Sequence, residues 1–371
     1  MKTDLKKLVF ISSIASPYQV KYCYALQKYF NCEFWFYEYP AKSRPKWWGI
    51  ELGDKCKILS KVIFKYDARY LSLSIISSLK KFNPDIVMLG GFTCPSNFIA
   101  YLWAIRKRKK TIVFTERSRT KNGILRKRTL IWRMIRLLYR NVDIVMVSAE
   151  DAASQFRDTF GFEDKVIAGR YAADLENYFI HPIRKTKDGL TLLFANRLTS
   201  IYQPLLAIQI FNEVLKSYPK TRLLLNADGE LHNKCEAMIL NLGLQNKANF
   251  LGDIKAWEDL PKIYEQCDIL ILPAKFSNGN FTILEAMASG MGIVISDQVL
   301  GIGKMIIDGA NGFVSEPTIS AFGNKINNYY RNENLFEKFG AYNKEIVKPY
   351  GMKGTAEFFN NIVQTKLLSK N

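Results

Sequence analysis

At 371 residues the chain exceeds what one ordinary hydrophobic core serves, so two domains are expected. Apolar residues make up 48% and charged residues 23%, a balance that excludes a disordered or collagen-like chain. Net charge is +19, and no window of about eighteen residues is apolar enough to read as a membrane span.

The six cysteines, Cys23, Cys32, Cys56, Cys94, Cys235 and Cys267, form no CxxC pair, and the only histidines are His181 and His232. That composition argues for reduced, partly buried thiols and against a zinc site; no metal and no cofactor are expected. The N-terminal MKTDLKKLVFISSIASPY has only a short apolar stretch, whose alternation reads as a buried first strand rather than a secretory leader. A cytoplasmic protein is expected.

Charge is distributed unevenly. Residues 1–178 carry 32 Lys and Arg against 16 Asp and Glu, whereas residues 179–371 carry 21 against 18. Arg106 to Arg140 alone holds 14 basic residues and one acid, Glu116. Such a stretch predicts a polyanion or an anionic membrane surface as partner of the first half; the alternative is a solvated basic face.

In chain order, β-rich apolar runs at 8–14, 33–39, 85–91, 111–115, 143–148 and 165–169 alternate with helical periodicity at 18–30, 68–82, 95–108, 126–140 and 149–159. The pattern then restarts. Strands are predicted at 191–196, 222–227, 249–252, 268–273 and 292–296, with helices at 203–217, 231–242, 256–266, 281–289 and 319–332. Strands alternating with crossover helices predict two doubly wound parallel-sheet domains, 1–178 and 179–371, with a cleft between them. The segment after Gly354 reads as a helix that could pack back on the first domain.

Loops after strands should carry the chemistry. In DILILPAKFSNGNFTILEAMASG, a buried strand ends at Pro273, and Ser277, Asn278, Gly279 and Asn280 lead into a helix. Free N–H groups at such a helix start form an anion site suited to a diphosphate. Glu285 could accept hydrogen bonds from ribose hydroxyls; its spacing from Thr282 is equally that of a capping box. After TLLFAN comes Arg197, whose guanidinium could neutralise a leaving diphosphate or simply pair with a surface acid. NADGELHNK and FLGDI are further strand–glycine–turn units, and Gly252 permits close approach of a flat base.

In order and spacing, FANRL, LLNADGELHNKCEAMILNLGL and ANFLGDIKAWEDLPKIYEQCDILILPAKFSNGNFTILEAMASGMGIVISD resemble the retaining GT-B glycosyltransferases of family 4. The likeness covers 190–315, including IIDGANGFV. It implies a GT-B fold, two Rossmann-like domains facing a central cleft, and metal-independent hexosyl-type transfer with retention. By the resemblance, Arg197 binds the donor phosphates, Glu285 the ribose, the backbone of Phe281, Thr282 and Ile283 the diphosphate, and Gly252, Asp253 and Ile254 the base.

Two positions depart from the family pattern. Tyr202 stands where a lysine is usual, five residues after the arginine, and Ser277 stands where a first glutamate is usual. Losing a cation there weakens leaving-group stabilisation; Lys275 or Lys304 could supply it from another direction. On the acceptor side, Glu116 follows the strand TIVFT and could position a hydroxyl or take its proton, or form a salt bridge to the neighbouring Arg117 and Arg119. Ser16, Pro17 and Tyr18, with Arg117, are the candidate acceptor contacts.

The resemblance implies a glycosyltransferase taking a sugar from a UDP- or GDP-sugar to a lipid-linked or polysaccharide acceptor, and by analogy and composition a setting in bacterial capsule, O-antigen or similar glycan synthesis. The basic run 106–140, interleaved with Ile131, Trp132, Ile135, Leu137, Leu138 and Tyr139, predicts a helix docked on the anionic inner face of the cell membrane. Nucleic acid is disfavoured, because these aromatics fall at helical spacing. A catalytically silent GT-B scaffold is the alternative that Ser277 and Tyr202 keep open.

Overall fold

The computed structural model describes residues 5–39, 48–49, 51–66, 69–118, 130–252, 254–277 and 281–369. The chain divides into two compact units, one of residues 1–172 with 352–371, the other of 173–351.

The first unit runs β1 (Lys7–Ile14), α1 (Pro17–Leu26), β2 (Asn31–Glu38), β3 (Cys56–Ile58), β4 (Val62–Tyr66), β5 (Arg69–Ser72), α2 (Ile75–Phe82), β6 (Ile86–Gly90), α3 (Pro95–Arg106), β7 (Lys110–Thr115), α4 (Leu130–Leu138), β8 (Ile144–Val147), α5 (Glu150–Ser154) and β9 (Val166–Ala168). Seven strands form a sheet in the order β3-β2-β1-β6-β7-β8-β9, with every neighbouring pair parallel. Side chains of a strand alternate between faces. Val9, Ile11, Val87, Leu89, Val113 and Val145 therefore build one core, and Leu8, Phe10, Ile86, Met88, Ile112 and Ile144 the other. Burial on both faces is why these strands read as continuous apolar runs.

The second unit runs α6 (Glu176–Phe179), β10 (Thr191–Phe194), α7 (Pro204–Ser217), β11 (Arg222–Leu225), α8 (His232–Asn241), β12 (Ala248–Phe250), α9 (Leu260–Glu265), β13 (Ile269–Leu272), α10 (Phe281–Ala288), β14 (Gly292–Ser296), β15 (Phe313–Ser315), α11 (Ile319–Arg331) and α12 (Asn334–Val347). Its sheet, in the order β12-β11-β10-β13-β14-β15, is also parallel throughout.

The chain then returns to the first unit as α13 (Met352–Ile362). Ala356, Phe359, Ile362 and Val363 join the core beneath β1 and β2, and Phe359 meets Phe30 edge-on at 5.7 Å.

The structure corrects several elements. The helix expected at 68–82 begins only at Ile75, and 69–72 is a strand paired antiparallel with 62–66. Short strands β3 and β15 carry no strong periodic signal and are additional to the expected elements, as is the helix α12. The helix expected at 126–140 spans Leu130–Leu138; residues 126–129 lie outside the described residues.

Phe359 is 1% exposed, so Phe359→Ala leaves a cavity in the first unit that costs about 3–5 kcal/mol. Denaturant unfolding followed by tryptophan fluorescence, with Trp35, Trp103 and Trp132 all in that unit, reads the loss directly.

Candidate functional site

In each unit the strand order reverses next to the first strand. In the second unit, β10 lies between β11 and β13, so the chain leaves β10 to one side and returns to the other. Loops diverging at such a switch point leave a crevice at the carboxyl ends of the strands. There the loop after β10 (195–203), the loop after β11 (226–231), the segment after β13 (273–277) and the start of α10 meet.

The first two loops are locked together. Leu198 N–H donates to the Asp228 carbonyl at 2.7 Å, and Leu231 N–H donates to the Leu198 carbonyl at 2.9 Å. Arg197 Nε donates to Asp228 Oδ2 at 2.8 Å. Gly229 allows the approach: its φ is +144°, and a Cβ there would stand 2.5 Å from the Leu198 backbone. On the other side, Lys275 N–H donates to the Ile201 carbonyl at 2.8 Å and Gln203 Nε2 to the Pro273 carbonyl at 2.7 Å. Gln203 caps α7 in the left-handed region, at φ 56° and ψ 56°. A non-glycine residue held there is strained, and the bond to Pro273 helps to hold it.

Thr282, in the first turn of α10, donates to Asn196 Oδ1 at 3.4 Å, which links the helix start to the residue before Arg197. The first N–H groups of α10 have no partner within the helix. Phe281 is half-buried and Ile283 faces the interior. Gly279 and Asn280 lie outside the described residues, as does Asp253. Gly252 is exposed with open space where a Cβ would go, and Ile254 is half-buried. Ser277 is buried, bridged to Val299, with its carbonyl accepting from Leu300 N–H at 2.9 Å. Tyr202 packs partly buried against the core of this unit. Lys275 and Lys304 are both exposed.

Glu285 is turned inward. It is 6% exposed and accepts a hydrogen bond from the Tyr264 hydroxyl on α9. Tyr178 stands edge-on to Tyr264 at 5.2 Å, its own buried hydroxyl left without a well-formed hydrogen bond. Burial pushes the Glu285 carboxyl up to about 7, against the lowering effect of the tyrosine hydroxyls, and Asp174 adds to the rise. The capping-box alternative fails, because α10 begins at Phe281 and Thr282 is already inside the helix. The buried Thr199 Oγ1 beside Arg197 also has no partner; an orphaned hydroxyl at a switch point is a ready ligand contact.

The first unit repeats the geometry, with β1 between β2 and β6. A cavity of about 360 Å³ opens at the carboxyl ends of these strands, walled by Phe10, Tyr18, Tyr22, Phe114 and Tyr171. Ser12, Gln19, Glu116 and Arg170 supply polar groups to it. Gly90 keeps its floor tight: a Cβ there would stand 3.2 Å from the Ile11 carbonyl oxygen. Glu116 lies at the exposed rim and accepts from the buried Tyr171 hydroxyl, while Arg117 pairs with Asp151 at 3.2 Å. Arg119 lies outside the described residues. Tyr18 thus reaches the cavity with Glu116. Ser16 is buried and donates to Gln19 Oε1 at 3.2 Å, and Pro17 starts α1; neither lines the cavity.

Sequence reasoning missed Tyr264, Tyr178, Tyr171 and Gln19. Tyr264, Tyr171 and Gln19 lie in or next to a predicted helix or strand and Tyr178 in the expected linker, and only tertiary contact brings each to a site.

Two Rossmann-like parallel-sheet units in one chain are the GT-B fold. Residues 179–346 match the sequence model of the glycosyl transferases group 1, a match that falls within the second unit. A poly(glycerol-phosphate) alpha-glucosyltransferase of Bacillus subtilis is 26% identical over 223 residues, 57% of this chain and 31% of that one. The chain spans less than half the length of the curated relatives it first matches. Among solved structures, a glycosyltransferase from Rickettsia africae ESF-5 aligns over 100% of both chains at 16% identity, with a TM-score of 0.75. Anabaena Alr3699/HepE, solved in complex with UDP and glucose, aligns over 97% of this chain and 100% of its own, at 13% identity and a TM-score of 0.72. These are likenesses of fold.

The raised Glu285 carboxyl makes stability pH-dependent. Its folded value lies above its ordinary value near 4.5, so the folded state holds the proton more tightly. The contribution is full below about pH 4.5 and is lost as pH rises through about 7, a change on the order of 3 kcal/mol. Glu285→Gln removes that part of the pH dependence, measured as unfolding free energy at pH 5 and pH 8 (values of about these bracket the window).

Proposed function

We propose that this chain is a glycosyltransferase that moves a hexosyl-type group from a UDP- or GDP-sugar, with retention and without a metal, to a lipid-linked or polysaccharide acceptor. The observation that carries the reading is the interlock of Arg197, Asp228 and the start of α10 at the switch point of the second unit, within the segment that matches the group 1 model. Arg197 spends Nε on Asp228, which orients its terminal nitrogens as a fixed fork for the leaving diphosphate. The N–H groups of Phe281, Thr282 and Ile283 supply further donors at a helix terminus. Gly252 and Ile254 offer the base an open ledge, and Glu285 meets the ribose if Tyr264 releases it.

In the first unit, the aromatic walls of the cavity suit the faces of sugar rings, and Glu116 at the rim accepts the acceptor's proton or fixes its hydroxyl. A setting in bacterial cell-envelope glycan synthesis, at the inner face of the membrane, is in keeping with the basic first half and with the glycerol-phosphate polymer named for one relative.

Incubation with UDP- and GDP-sugars, followed by NMR of the released or transferred sugar, tests the reading. It predicts turnover of one donor with the anomeric configuration kept, and a kcat lower by about a hundred- to thousandfold in Arg197→Ala. Inverted product would refute retention. A second reading, a silent scaffold that binds nucleotide sugar without transfer, draws on Ser277 and Tyr202 in place of an acid and a cation and on the inward turn of Glu285. Nucleotide binding with neither hydrolysis nor transfer would establish it.

A further inference from the structure

The arginines that end the basic stretch of the first unit form one of three stripes on α4 and the two residues after it. At about 100° per residue, Trp132 and Ile135 of α4 share one side with Tyr139, the residue after it. Trp132 and Ile135 pack against the core, and Tyr139 is 1% exposed. Arg133, Arg136 and Arg140 fall on the next side. The side pointing away from the core is apolar: Ile131 is 66% exposed, Met134 56%, Leu137 65% and Leu138 48%. A helix whose outermost side chains are aliphatic, flanked by arginines, is built for an interface that is apolar within and anionic at its edge.

The arginine stripe borders a groove. Arg133, Arg136, Arg140 and Lys165 line a cavity of about 560 Å³ between α4 and the turn 161–165, with the acids Glu163 and Asp164 also at its wall. The lining cations outnumber the acids. The ion pair between Arg136 and Glu163 is long at 3.9 Å and exposed on both sides. Lys165 Nζ donates to the Arg140 carbonyl at 2.5 Å, which ties the turn to the end of the helix. Gly161, at φ +72°, leaves room for the guanidinium: a Cβ there would stand 3.1 Å from Arg136 Nη1.

The β4–β5 hairpin packs on the same face of the sheet, through Val62 and Tyr70, and also exposes apolar side chains among cations. Ile63 is 60% exposed and Tyr66 65%, beside Lys65 and Arg69.

We infer that α4 and the 161–165 turn form a docking site for the anionic phospholipid headgroups of a bilayer, with Met134 and Leu137 entering the acyl boundary while the arginine groove holds phosphate. This deepens the membrane-surface part of the proposed function and names the residues responsible. Two features together favour lipid over a soluble phosphate ligand. The groove is contiguous with an exposed aliphatic strip that a free anion would leave in water, and it lies outside the switch-point cavity of this unit.

The experiment is co-sedimentation of the full chain with vesicles of phosphatidylcholine alone or mixed with phosphatidylglycerol, at low and high salt. The unmodified protein is expected to bind the anionic vesicles, release in high salt and ignore the neutral ones. R133Q/R136Q/R140Q lowers the partition coefficient by on the order of a hundredfold. M134Q/L137Q also lowers it and leaves the residual binding salt-sensitive. All five side chains lie on the exposed sides of α4 or at its end, and a melting curve checks that each variant is folded.

Equal binding by both variants and the unmodified chain overturns the site, as does binding of neutral and anionic vesicles alike. So does binding of inorganic phosphate that R133Q/R136Q/R140Q abolishes, with no binding of either vesicle, because the groove then serves a free anion. RNA binding that R133Q/R136Q/R140Q abolishes, without vesicle binding, assigns the stripe to nucleic acid and overturns it too. Stabilisation by nucleoside diphosphate is unaffected in both variants. Failure of vesicle binding with that stabilisation intact sinks the docking site alone, whereas loss of the stabilisation in the unmodified chain sinks the transferase reading.

Discussion

Leu198 held between Asp228 and Leu231 is the contact on which the second unit's site depends. A parallel sheet ends each strand in a loop, and loops left to themselves are the mobile part of an α/β protein. Here two backbone hydrogen bonds and the Arg197–Asp228 pair fasten the loop after β10 to the loop after β11, and Lys275 and Gln203 fasten it to the segment after β13. Arg197 is therefore held at 41% side-chain exposure with its direction fixed, rather than swinging as a surface arginine does. A fixed guanidinium loses less entropy on meeting a diphosphate, the sense in which such a site is preorganised. The requirement for glycine at 229 follows from the same contact, since no side chain fits between that residue and Leu198.

The framework beneath the loops was legible because both faces of each sheet are covered. DIVMLGG, DIVMVS and DILILP are runs of the kind that only a doubly covered strand needs, and each is a strand in the structure. Legibility fails where burial is sparse or the strand is very short. Residues 62–66 and 69–72 pair as antiparallel strands, the first exposed along most of its length, so no alternation marks it, and the second runs straight into α2. The strand at Phe313–Ser315 is too short for a pattern to show.

The site was legible as loops and not as contacts. Spacing brought out Arg197 and Glu285 as residues of interest, and the structure places Arg197 on the switch-point crevice. Nothing in the sequence says that Glu285 meets Tyr264, a residue on the preceding helix, or that Tyr171 reaches Glu116 across 55 positions. Those pairings depend on how helices settle on the sheet, information spread over the whole core. The α4 stripe lies between these cases. Periodicity showed an amphipathic basic helix, but Trp132, Ile135 and Tyr139 turn to the core, and the exposed apolar side chains are Ile131, Met134, Leu137 and Leu138.

The central claim is that the interlocked loops of the second unit bind a nucleoside diphosphate. Calorimetric titration of the full chain with UDP and GDP, alongside the matching monophosphates and free nucleosides, tests it most directly. The account predicts saturable binding of one diphosphate, much weaker binding of its monophosphate, and loss of that difference in Arg197→Ala with the fold intact. Equal affinity for diphosphate and nucleoside, or no binding of either diphosphate, would contradict it.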